Sequence, residues 1–128
     1  MLNILFVDDD VIEVMTVKRH LKKFSDANLL YASSYAEGCK IIETTNINLV
    51  FTDYNLGDGI GYDFTNDYPE LKIIILSGTS LVNADKKALE SKKIESIVKD
   101  FDLNYIKRVD SIISETITMS TQSHKTGK

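Results

Sequence analysis

The chain has 128 residues, of which 43% are hydrophobic and 27% charged, and a net charge of -4; that is one globular domain with enough apolar material for a real core, and no basic excess to displace counterions from nucleic acid. Its single cysteine, Cys39, rules out an internal disulfide and points to a reducing compartment. No apolar run approaches the roughly 18 residues that span a bilayer, and the stretch after Met1 runs only about five residues before acids begin, too short for a signal peptide. The expected location is cytoplasmic, with neither a membrane nor a nucleic acid as partner.

Strand and helix patterns then alternate five times, which predicts a parallel sheet covered on both faces. The first strand spans about residues 3–7 and carries Ile4, Leu5, Phe6 and Val7. A helix over 11–24 follows, with Val14, Val17, Leu21 and Phe24 at helical spacing and Asp10 as its N-cap. Residues 28–32 form a short second strand. Ser34 and Glu37 have the spacing of a capping box, opening a helix that carries Cys39, Ile41 and Ile42. The third strand, about 48–52, runs into Asp53 and a loop with glycines at 57, 59 and 61, a density that demands unusual backbone angles. Before Pro69 there is room for about two helical turns, over 62–68. The fourth strand, 72–76, is almost continuously β-branched, as a strand buried on both faces should be. Ser77 to Ser80 form a turn before a helix over 81–92. The fifth strand, 94–98, ends at Lys99. Asp102 caps a last helix with Ile106, Val109, Ile113 and Ile117 along its core stripe. Residues 1–118 are expected to form the domain. The segment 119–128 lacks apolar periodicity and is expected to be a disordered tail.

Four strand patterns thus finish on groups suited to a cation or a phosphoryl group: Asp8-Asp9-Asp10, Asp53, Ser77 and Lys99. Open parallel sheets bind ligands outside the carboxyl ends of their strands, where strand order reverses. Bringing Asp8, Asp9 and Asp53 together is unfavourable alone, because neighbouring like charges oppose full ionisation. A hard divalent cation such as Mg²⁺, which takes carboxylates, waters and phosphate oxygens, removes that penalty. A carboxylate can also attack a phosphoryl group to give an acyl phosphate. Asp53 is the expected nucleophile, with Lys99 and Ser77 on the phosphoryl oxygens.

Together these segments resemble the receiver domain of two-component response regulators. The resemblance rests on Ile4-Leu5-Phe6-Val7-Asp8-Asp9-Asp10, Leu49-Val50-Phe51-Thr52-Asp53-Tyr54-Asn55-Leu56, Ile75-Leu76-Ser77-Gly78 and Ile97-Val98-Lys99, covering about residues 2–117 in the family's order. It implies a flavodoxin-like doubly wound α/β fold with five parallel strands in the order 2-1-3-4-5, helices on both faces and a shortened third helix. It also implies that Asp53 accepts a phosphoryl group from a histidine kinase, a histidine phosphotransfer protein or a small phosphodonor. Asp9 would hold Mg²⁺ (or Mn²⁺) directly, Asp8 partly through water and Asn55 through its backbone carbonyl, with Asp53 completing the set. Ser77 and Lys99 would bind the phosphoryl oxygens and drive the switch, while Thr79 and Asp58 tune the site. The chain would act as a stand-alone signalling module rather than an enzyme, with at most Mg²⁺-dependent self-phosphorylation and self-dephosphorylation. A downstream protein, or a phosphorelay, would receive the signal at the face made by the 81–92 helix, the fifth strand and the last helix, and the module itself would be a monomer or weak homodimer.

Four departures from the family pattern stand out: Asp100 replaces the proline after the lysine, Gly57 replaces a loop proline, Ser96 replaces the aromatic three residues before the lysine, and the third helix is short. They leave the phosphorylation chemistry intact and remove the usual output switch. Two other readings compete. A haloacid-dehalogenase-type phosphohydrolase would use Asp8 and Asp10 as its acid pair, but it leaves Asp53 without a role and finds no late acid pair. A degenerate receiver that binds partners without phosphorylation is opposed by the intact acid set. His20 and His124 have no phosphotransfer context. Asp58 reads first as a loop acid, and Tyr105, Ile112 and Met119 recur every seven residues, either widening the buried face or forming a seam.

Overall fold

The computed structural model describes residues 2–78, 87, 94–99 and 104–126, the last six by backbone alone. Its elements are β1 (Leu2–Val7), α1 (Val11–Leu21), β2 (Ala27–Ala32), α2 (Tyr35–Thr44), β3 (Leu49–Asp53), α3 (Tyr62–Asp67), β4 (Lys72–Ser77), β5 (Glu95–Val98) and α4 (Asn104–Thr126). The strands make one sheet in the order β2-β1-β3-β4-β5, every pair parallel. This is the flavodoxin-like, doubly wound arrangement expected from the alternation. Strand order reverses between β1 and β3, so the edge crevice opens at the ends of those two strands.

Side chains along a strand point alternately to opposite faces. Ile4, Phe6, Leu49, Phe51, Ile74 and Leu76 therefore pack under α1 and α4, with Val17, Leu21, Val109 and Ile113. Leu5, Val7, Val50, Ile73 and Ile75 pack on the other face with Phe64 and the half-buried Cys39, Ile41 and Ile42 of α2 and α3. Both faces are covered, which is why the central strands read as unbroken apolar runs rather than alternating ones. Register also aligns rings: Phe6 pairs with Tyr31 and Phe51 and stacks on both, at centroid distances of 5.6 and 4.9 Å.

Several boundaries differ from the sequence reading. Helix α1 stops at Leu21, because the Phe24 amide turns back to the Leu21 carbonyl at 3.1 Å and lets the Phe24 ring reach the core. The capping box at α2 is half formed. Ser34 Oγ accepts from the Glu37 amide, while the Glu37 carboxylate accepts from the amide and hydroxyl of Ser33, which offers a second donor. Helix α4 continues to Thr126, through residues expected to be a disordered tail. Neither Gly nor Pro interrupts it before Gly127, and propagating a nucleated helix adds one hydrogen bond per residue. Tyr105 and Ile112 are buried and Met119 is exposed, so the seven-residue repeat mainly widens the buried face. The expected 81–92 helix and the Asp102 cap lie outside the described residues, apart from Lys87, which is helical.

Candidate functional site

The sheet register assembles the site. Val7 lies beside Thr52, so the next residues, Asp8 and Asp53, are neighbours. Asp53 pairs with Leu76 and Ser77 pairs with Val98, which brings the ends of β4 and β5 to the same edge. The Lys99 amide donates to the Ser77 carbonyl at 2.7 Å, extending the ladder by one bond and fixing where the lysine side chain begins. Asp10 caps α1, its carboxylate accepting from the amides of Ile12 and Glu13 at 2.9 and 3.2 Å. Its Oδ1 is thereby engaged in capping, and Asp10 is not among the acids grouped at the site.

The Lys99 ammonium stands among three carboxylates. It donates to Asp8 at 2.9 Å and to Glu13 at 2.5 Å, and lies 3.5 Å from Asp53 Oδ1. Its side chain is only 11% exposed. Two backbone amides hold the acids in place: the Asp10 amide donates to Asp8 Oδ1 at 2.9 Å and the Tyr54 amide to Asp53 Oδ1 at 2.9 Å. Burial pushes the Asp8 carboxyl up to about 6, helped by its hydrogen bond with Glu13 and opposed by the Asp10 amide and Lys99. Burial also raises Asp53, with Lys99 working against it. For Lys99, burial disfavours the charged form, but contacts with Glu13, Asp8 and Asp53 outweigh it and hold the ammonium above the ordinary lysine range.

Carboxylate oxygens of Asp8, Glu13 and Asp53 all lie within 4.8 Å of one another. Fully ionised, three acids face one ammonium and leave an excess of negative charge in a half-buried cleft. A divalent cation with oxygen-ligand preference answers that excess, so the donor set fits Mg²⁺ or Mn²⁺.

Other sequence-predicted residues fall in distinct places. Ser77 ends β4 and is buried. Asp9 is exposed, and its Oδ2 lies 4.0 Å from where a β-carbon on Gly57 would stand, so it faces the loop after Asp53. Asn55 shapes that loop: its side-chain oxygen accepts from the Gly57 amide at 3.1 Å, where the backbone has φ 83°, a left-handed angle that favours glycine. Asp58 is engaged elsewhere. Its two oxygens accept from the amides of Tyr35 and Ala36 at 2.9 and 3.0 Å, and these bonds hold its carboxyl below the usual range. With Ser34 on the Glu37 amide, they satisfy the first turn of α2. Thr79 lies outside the described residues. Gly61 packs against the site's backbone: a β-carbon there would sit 2.4 Å from the Asp53 carbonyl oxygen.

Glu13 is the residue the sequence reading missed. It follows the cap Asp10 by three positions, where a carboxylate leans back toward the start of its helix. That spacing was the available signal, but its partner is Lys99, 86 residues away.

A family model for the response regulator receiver domain matches residues 4–109. The chain belongs to that receiver family. It is 26% identical over 124 residues to the sensory transduction protein LytR of Streptococcus agalactiae, covering 93% of this chain and 49% of that protein. The chain thus spans about half the length of this curated relative. Among solved structures, a CheY-like receiver domain protein from Methanospirillum hungatei superposes with TM-score 0.76 at 22% identity, covering 96% of this chain and 98% of that one. A receiver domain protein from Clostridium thermocellum gives TM-score 0.74 at 23% identity, covering 95% and 98%. These two likenesses establish the fold. The receiver domain is a two-component signal-transduction module, not a conventional enzyme. Among the described residues, no helix is long and apolar enough to cross a membrane.

Proposed function

We propose that this receiver domain accepts a phosphoryl group on Asp53 from the phosphohistidine of a histidine kinase or phosphotransfer protein, or from a small phosphodonor, and passes the signal on through protein contacts. The observation that carries this reading is the Lys99 ammonium 3.5 Å from the Asp53 carboxylate, inside the acid triangle. Asp53 attacks as a carboxylate, so no proton has to be removed. A bond forms from its oxygen to phosphorus, the donor's nitrogen–phosphorus bond breaks, and the electron pair stays on the imidazole, which takes a proton from solvent. With an acyl phosphate the leaving group is the carboxylate.

Asp8, Asp9, Asp53 and the Asn55 carbonyl would hold Mg²⁺ or Mn²⁺. Bound there, such an ion would supply positive charge to offset the negative charge on the transferring oxygens. Lys99 supplies a second positive charge, and the buried Ser77 hydroxyl at the next strand end supplies a hydrogen bond. Asp8, Asp53 and Lys99 already stand together at the sheet edge, which supports transfer with little reorganisation. Val11, Ile12 and Met15 of α1 are all more than half exposed and lie close to Glu13 in sequence, which supports the start of α1 as a landing surface for the phosphodonor protein. The product carries about -1.5 to -2 charges and shifts the population of a pre-existing conformer. Its readout is a protein docking on the face that includes β5 and α4, where Ser96 is exposed in place of an aromatic.

The test is incubation with acetyl phosphate and Mg²⁺, followed by intact mass. The wild type gains one phosphoryl group and Asp53→Ala gains none. Absence of an Asp53-dependent adduct, with the small donor and with a phosphorylated phosphotransfer protein, overturns the assignment.

A further inference from the structure

Glu13 lies outside the receiver motifs, yet it is the shortest partner of Lys99, at 2.5 Å against 2.9 Å for Asp8. We propose that Glu13 acts on the phosphoryl site through its charge and its hold on Lys99: it draws the ammonium toward α1 and opposes an incoming phosphoryl group. This inference rests on the reading of Asp53 as phosphoacceptor.

A lysine ammonium has three protons to donate. Two are committed, to Asp8 and Glu13, while Asp53 Oδ1 at 3.5 Å is close enough for charge attraction but long for a hydrogen bond. The third proton is left for Asp53 or for a phosphoryl oxygen on it, and the two partners that hold the other protons set where it points. They are not equivalent. Asp8 continues β1, is 12% exposed and is fixed by the Asp10 amide. Glu13 projects from the first turn of α1 on a longer side chain that is 35% exposed. It can release the ammonium and return to water, whereas Asp8 cannot move without disturbing the strand end. Glu13 is thus the adjustable member of the cluster, and its charge acts with opposite sign on the site's two ligands. It adds to the field that attracts a divalent cation and opposes the arrival of an anionic phosphoryl group.

The experiment uses Glu13→Gln and Glu13→Ala in the full chain, with tyrosine fluorescence as the reporter because the chain has six tyrosines and no tryptophan. Two titrations are read: Mg²⁺ alone, then beryllium trifluoride at saturating Mg²⁺. Both variants are expected to bind Mg²⁺ about threefold to tenfold more weakly, and beryllium trifluoride more tightly by a similar factor, as befits one half-exposed charge. Opposite shifts separate this role from a structural one, since a merely loosened fold weakens both. If both variants bind both ligands within twofold of wild type, or lose affinity for both, the role of Glu13 is overturned. If the wild type shows no beryllium trifluoride binding that Asp53→Asn abolishes, the phosphoacceptor reading falls and this inference falls with it. Wild-type binding that ignores Glu13 removes the inference alone.

Discussion

Replacing Gly61 with alanine tests whether the phosphoacceptor's backbone is as tightly held as its surroundings imply. Gly61 has φ -56° and ψ -30°, a helical conformation any L-residue adopts. By propensity alone, alanine at the start of α3 would help by up to about 1 kcal/mol. The packing says otherwise. The new methyl would sit 2.4 Å from the Asp53 carbonyl oxygen, 2.9 Å from Thr52 Cγ2 and 3.1 Å from Thr52 Oγ1, about 1 Å short of ordinary contact at the first of these. Neither neighbour can retreat cheaply: Thr52 is fully buried and paired on both sides, and its hydroxyl donates to that same carbonyl at 3.0 Å. Overpacking of this kind costs about 1–3 kcal/mol, enough to cancel and exceed the propensity gain. Net of the propensity gain this leaves up to about 2 kcal/mol, so at about 3–5 °C per kcal/mol for a chain of this size the melting temperature should fall by up to about 10 °C. Thermal denaturation followed by circular dichroism reads the first effect. Acetyl phosphate labelling, slowed as Asp53 is displaced, reads the second. A variant that melts at or above the wild type and labels at the same rate would refute the reasoning, because it would show that the loop yields freely around the acceptor.

Metal affinity should depend on pH through Asp8. Its carboxyl is raised to about 6, above the ordinary value near 4, so between those values the folded protein keeps a proton that the unfolded chain has lost. Stability of the metal-free protein therefore falls as pH rises through that window, and Mg²⁺, which needs the carboxylate, must displace the proton below it. Titrations at pH 5, 6 and 7.5 should show affinity dropping by up to about tenfold per unit below 6; a constant affinity would contradict the assignment. Asp58 works in the opposite sense. Its carboxyl is held low by the Tyr35 and Ala36 amides, so its stabilisation is present above about 4 and lost as pH falls through its folded value. Asp58→Ala should lower the melting temperature at pH 7, with the gap closing toward pH 3; a gap that persists there would mean the carboxylate is not the cause.

The covalent pattern along the chain determined much of this protein. Apolar runs without alternation announced strands buried on both faces, and their ends named Asp8, Asp53, Ser77 and Lys99 before any contact was known. Asp10 was legible as a cap, and the short span between Gly61 and Pro69 as a short α3. These features depend on neighbours a few residues apart, through backbone sterics, local hydrogen bonds and the period of side chains, which sequence displays directly. Tertiary structure alone decided who meets whom. Glu13 meets Lys99 across 86 positions, Asp58 leaves the acid edge to close the first turn of α2, and Gly61 lies against the Asp53 carbonyl. Tyr105 and Ile112 were ambiguous until α4 settled on the sheet. A charge is attracted to any opposite charge, and a methyl fits any space, so only the ångström-scale arrangement of strand ends and helix starts selects one partner from the many that the sequence allows.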